Sequence, residues 1–239
     1  MQGTKYEIST LRLASVLALV AVFLYFWETP PSWCIRQSAV FVHEINHASA
    51  AVLTGGRVIN VLITRDEGGA CETEGGIEIA INAAGYLGVA ILGMILVLSS
   101  RSRFAPFVDL TLMCLVFSAF LATTVNDPFT WWFGVAFVLF CFFGATILSV
   151  RLAQMCMFGY GVLLCIYTTL DIYHDILDSS RVKSVLNDGV VMARMLDTDP
   201  HLVGMCWLVF SLAILFVSLR STLLVPVQQI QNESSTAHV

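Results

Sequence analysis

His43-Glu44-Ile45-Asn46-His47 lies inside an otherwise apolar run from about Trp33 to Leu53. At about 100° of helical turn per residue, His43 and His47 fall within about 40° of each other, one turn apart, and both imidazoles reach the same point in space. With five His in 239 residues, composition alone yields roughly 0.004 occurrences of H-E-x-x-H. An ionisable side chain at mid-bilayer costs at least about 2.5–3.5 kcal/mol on insertion scales, so three within five apolar-flanked positions mark a functional site.

The membrane setting follows from composition. The chain is 57% hydrophobic and 12% charged, with a mean hydropathy of +0.81, outside the range of ordinary globular domains. Apolar runs at roughly 11–27, 33–53, 82–99, 106–124, 130–149, 155–177 and 202–220 are each long enough to cross about 30 Å of hydrocarbon. They predict an all-α, multi-pass integral membrane protein of about seven transmembrane helices. One membrane-embedded domain is expected over 1–224, with a disordered polar tail over 225–239. The net charge of −5 and the absence of a basic cluster with interleaved aromatics argue against nucleic acid as a partner. Cys114, Cys141, Cys156, Cys165 and Cys206 read as membrane-core residues. Cys34 and Cys71 stand at span ends one crossing apart, where no disulfide is expected.

Two histidines at this spacing suit a zinc ion, with Glu44 beside them as the general acid/base that moves a proton from the attacking water to the leaving amine. Catalytic zinc takes three protein ligands, so one is still missing. Potential ligands gather once more, in Thr169-Leu170-Asp171-Ile172-Tyr173-His174-Asp175-Ile176-Leu177-Asp178. Asp171 and Asp175 share a helix face at i, i+4, and either supplies a carboxylate. Depth favours Asp171: it lies six residues before the span end at Leu177, as His47 lies six before Leu53, each about 9 Å from the end. Asp175 is only about 3 Å from that end. Asp178 reads as a helix end reaching water.

Between the second and third runs, Val58–Thr64 and Ile77–Ile81 read as the strands of a β-hairpin punctuated by Gly68-Gly69 and Gly75-Gly76. A strand edge next to the metal helix offers main-chain hydrogen bonds to an extended peptide. The third run opens Asn82-Ala83-Ala84-Gly85-Tyr86-Leu87-Gly88, whose small residues suit close contact between helices. Asn82 and Tyr86, one turn apart, can reach a substrate or ligand with hydrogen bonds, but Tyr86 reads first as an interfacial anchor. Residues 178–201 read as a mixed-charge loop.

With H-E-x-x-H in an early span, Gly-Gly soon after, A-G-Y-x-G opening the next span and a late Leu170-Asp171, the chain resembles the site-2 protease family of intramembrane zinc metallopeptidases. The likeness is closest to the small, peptidase-like branch without a large inserted domain. The resemblance implies Zn2+ held by His43, His47 and Asp171, with Glu44 as acid/base and a membrane-spanning protein as substrate. It departs at Asp171, which lacks the Asn and Pro before it and the Gly after it that better-known members carry. The function expected is hydrolysis of peptide bonds in transmembrane or membrane-proximal segments. Two other classes remain open: a catalytically inactive relative that binds or escorts membrane helices, and a small metal transporter whose intramembrane ligands line an ion path.

Overall fold

The computed structural model describes residues 6–177 and 187–226. Two helices open the fold, α1 (Thr10–Tyr25) and α2 (Pro30–Leu53), and they meet at 101°. Pro30 and Pro31 start α2, where a proline's fixed φ suits the first turn and its missing N–H cannot extend the preceding helix. After a β-hairpin come α3 (Glu78–Ser99), α4 (Ala105–Thr124), α5 (Pro128–Ile147) and α6 (Val150–Ile172), which runs into a π-helical turn at Tyr173–Leu177. A short α7 (Asp188–Met195) and a long α8 (Pro200–Leu223) complete the helical bundle. Outside it, β1 (Tyr6–Ile8) pairs antiparallel with β4 (Leu224–Pro226).

Among the described residues, five helices are long and apolar enough to cross a membrane: α3, α4, α5, α6 with its π-helical turn, and α8. The bent α1–α2 unit makes a sixth if it counts as one broken span. The seven separate spans expected from the sequence are not confirmed. Residues 11–27 and 33–53 each look sufficient alone, but they are two arms of one sharp bend, and the second arm carries Arg36, Gln37, Glu44 and two histidines. Two further expectations change. Leu224–Pro226, where the polar tail is expected to begin, is a strand, and the expected loop 178–201 contains a helix. Asp178 and the tail beyond Pro226 lie outside the described residues.

The hairpin pairs β2 (Arg57–Ile63) with β3 (Gly69–Glu74), not with Ile77–Ile81. Gly75 and Gly76, at φ +74° and +81°, turn the chain out of the strand in a backbone conformation that costs glycine little. Ile77 then caps α3, so the period-two pattern over Ile77–Ile81 is overridden by helix. The hairpin folds back along α2. Seven β2 residues at about 3.3 Å cover about 23 Å, close to the roughly 26 Å from Arg36 to Leu53 along the helix.

One stretch of α2 grips the hairpin turn. Trp33 Nε1 donates to Arg65 O at 3.0 Å and Gln37 Nε2 to Thr64 O at 2.9 Å. Arg36, 5% exposed, donates Nε to both Glu67 carboxylate oxygens at 2.9 Å and NH2 to Oε1 at 2.7 Å. Its NH1 donates to Trp27 O, and its guanidinium stacks over the Trp27 ring at 4.6 Å. On the far side, Thr130 at the start of α5 bonds both the N–H and the carbonyl of Ile63. Strand backbone beside apolar helices is tolerated because these groups satisfy it, which open lipid cannot do.

Phe41 of α2 is fully buried among Phe117, Phe133 and Phe137, locking α2 to α4 and α5. α3 crosses α6 where Gly93 faces Gly161, and a Cβ on either would meet the other helix's backbone carbonyl, the close approach that small residues permit. A second cluster, with Tyr86, Ile172, Ile176, Met192, Val203 and Trp207, pins α7 between α3, the π-helical turn and α8.

Arg36→Ala is expected to strand the Glu67 carboxylate in a mostly buried position, at a cost on the order of 3 kcal/mol. Trypsin cleavage after Arg65 in detergent-solubilised protein is expected to quicken, with the helical circular dichroism retained. Unchanged cleavage would show that the hairpin is held by something else.

Candidate metal centre

His43 and His47 project from α2 toward α3, and they sit close because α3 has no side chain in their way. A Cβ on Gly85 would fall on the Nε2 atoms of both rings. The rings themselves meet edge to face at 4.7 Å, and His43 packs edge-on against Tyr86 at 4.6 Å. His47 Nδ1 lies 2.6 Å from the carbonyl of Ile81 in the first turn of α3. That carbonyl can only accept, so Nδ1 carries the hydrogen and neutral His47 turns its Nε2 lone pair the other way.

The atom facing that lone pair is Asp188 Oδ2, 3.1 Å from His47 Nε2 and 2.8 Å from His43 Nε2. Asp188 comes from α7. Asn187 fixes its place, accepting the N–H of Val190 on Oδ1 as a helix cap and donating Nδ2 to the carbonyl of Asp175 at 2.7 Å. Burial works against the Asp188 charge, and it is protons on the His43 and then the His47 imidazole, donated to the carboxylate, that would outweigh burial and hold the carboxyl below its usual range. An ionised oxygen against an imidazole lone pair is repulsive unless a proton or a cation lies between them. Two imidazole nitrogens and one carboxylate oxygen, all within 4.8 Å of one another, are a donor set that zinc accepts.

Glu44 is 4% exposed, and its Oε2 meets no partner among the described residues. The carboxylate rests against the backbone of Gly69 at the start of β3, where a Cβ would collide with it. The hairpin therefore forms one wall beside Glu44. A cavity of about 520 Å³ opens here, lined by Glu44, His43, Asp188, Arg36, Asp171 and Asp175 among others.

The residues named from the sequence divide. His43, His47 and Glu44 stand together. Asp171 and Asp175 line the same cavity but are not in the three-ligand group. Asp171 shares the cavity wall with Tyr167, and Asp175 Oδ2 accepts from Tyr86 at 3.3 Å. Matching depth along two helices does not determine which way their faces turn. Sequence reasoning misses Asp188, which falls in the expected loop 178–201. Its only signal is Asn187-Asp188-Gly189 ahead of Val190-Val191-Met192-Ala193, a helix start.

The family model described as Peptidase M50B-like matches residues 16–218. The chain belongs to that family. No curated protein and no solved structure matches it. Peptidase M50B-like proteins fall within the site-2 protease family of intramembrane metallopeptidases, as the sequence resemblance implied. Its membership and its five or six apolar helices make it an integral, multi-pass membrane protein.

Two glycine variants test this geometry without altering a ligand. Gly85→Ala is expected to push the two imidazoles apart and weaken zinc binding about 10- to 100-fold, the range seen when a ligand's support is disturbed. Gly69→Ala displaces Glu44 alone and is expected to leave zinc binding within a few-fold of the intact protein. Competition against a metal indicator measures both, and equal affinity in all three proteins would contradict the site.

Proposed function

We propose that this chain is an intramembrane zinc endopeptidase that hydrolyses peptide bonds in transmembrane or membrane-proximal segments of other proteins. The convergence of His43 Nε2, His47 Nε2 and Asp188 Oδ2 beside Glu44, whose Oε2 has no partner among the described residues, carries the reading. His43, His47 and Asp188 would hold the metal. When bound, zinc polarises the scissile carbonyl and acidifies water.

The chain's own groups do the rest. Ile81 O keeps His47 in the tautomer whose Nε2 is free to ligate. Glu44, out of bulk water, takes one proton from the attacking water as its oxygen bonds to the carbonyl carbon. It then delivers that proton to the amide nitrogen as the C–N bond breaks, leaving an acid, an amine and an unchanged carboxylate. β3 is the outer strand of a two-stranded sheet beside Glu44, which favours a substrate in extended form. A transport path would be expected to place ligands on more spans, and a purely binding protein has no need of the buried Glu44.

A second reading of the ligand set keeps Asp171 in place of Asp188. Its support is the Leu170-Asp171 resemblance and the position of Asp171 on the wall of the same cavity. Zinc content separates the two. Asp188→Ala is expected to lose the metal and the activity together, while Asp171→Ala retains zinc; the opposite pattern would assign the site to Asp171.

Glu44→Gln is expected to keep zinc and to lower turnover of a model transmembrane peptide by about 100-fold or more. A chelator should abolish cleavage by the intact protein and zinc should restore it. Cleavage by Glu44→Gln at the intact rate would sink the peptidase assignment.

A further inference from the structure

The first turn of α3 meets the metal centre twice. Ile81 gives its carbonyl to His47, and the next residue, Asn82, is among the residues that line a second cavity of about 400 Å³. This cavity lies against the same Glu44, Gly69 and Asp188 that line the larger one, so those three residues form a waist between the two. Ala70, Cys71 and Thr73 of β3 line it as well. Asn82 is 8% exposed, and its Oδ1 is buried with no donor among the described residues. Leaving a buried amide oxygen unpaired costs about 1–3 kcal/mol, and no hydrogen bond among the described residues offsets it.

We propose that Asn82 is a substrate-binding residue that grips the main chain of the peptide being cut. This rests on the endopeptidase reading. The substrate crosses the waist at Glu44, with one side of the scissile bond in each cavity, and Asn82 Oδ1 accepts a backbone N–H from the segment in the smaller one. A carboxamide is suited to this because it carries one acceptor and one donor set, matching the N–H and C=O of a peptide group. A main-chain bond adds binding without selecting side chains, as an enzyme acting on varied hydrophobic segments requires. The position next to Ile81 ties the grip to the metal centre: the same turn of helix orients His47 and registers the peptide.

A zinc-directed probe tests this directly. Binding of a leucine-rich tripeptide hydroxamate, and of three versions each N-methylated at one backbone amide, is measured on zinc-loaded full-length protein in detergent. In intact protein, methylation at one position is expected to weaken binding about 3- to 10-fold by removing the N–H. In Asn82→Ala the unmodified probe should bind about 3- to 10-fold more weakly and that methylation penalty should vanish. Zinc content and acetohydroxamate affinity should stay as in the intact protein, which a general structural defect would not allow. Asn82→Asp keeps an acceptor, so it is expected to retain the penalty, and its loss there would overturn the proposal. Penalties of the same size in Asn82→Ala and intact protein would overturn this inference and leave the endopeptidase reading standing. Failure of the hydroxamate to bind intact zinc-loaded protein would overturn both.

Discussion

A histidine whose Nδ1 is held by a main-chain carbonyl presents a lone pair at Nε2, and here that lone pair faces a carboxylate. The rest of the structure is arranged around this confrontation. The Ile81 carbonyl is available because it lies in the first turn of α3, where it reaches His47 across the α2–α3 contact. α3 comes close enough because Gly85 has no side chain to strike the imidazoles. Asp188 is delivered by a separate short helix, held against α3 and α8 through Tyr86, Met192 and Trp207. A proton or a cation at the meeting point relieves the contact, and a cation would make the three groups a ligand set.

The hairpin is the second necessity. It brings backbone into a region built of apolar helices, where every unpaired N–H or C=O is expensive. Trp33, Arg36 and Gln37 secure its turn, and Thr130 satisfies β2 at Ile63. The outcome is a strand start at Gly69 pressed on Glu44, with cavities on both sides of the contact. The Arg36–Glu67 pair thus sits at a distance from the chemistry yet holds one of its walls.

Much is legible in the sequence because it depends on local spacing and composition. His43, Glu44 and His47 come together on one turn of helix by periodicity alone, and their placement in an apolar run points to the membrane setting and to a candidate metal site. The hairpin's existence follows from β-branched residues between glycine pairs, although its second strand lies elsewhere than expected: Gly75 and Gly76 end the strand, and Ile77–Ile81 joins a helix whose propagation outweighs a five-residue alternation. The count of seven spans is not confirmed for a similar reason. Hydropathy records how apolar residues 11–27 and 33–53 are, and says nothing of the 101° between them.

By itself, then, the sequence determined what depends on neighbours along the chain: a helical membrane protein, a histidine pair with its glutamate, and a strand pair close behind. Only the tertiary structure decided which carboxylate faces the pair. Asp188 is 141 residues from His47 and reaches it because α7 is wedged between α3 and α8. Asp171 matches His47 in depth, but a face at the right depth can point to either side of a helix. Rotation about the helix axis and the return path of the chain are set by contacts among distant side chains, and no local pattern encodes them.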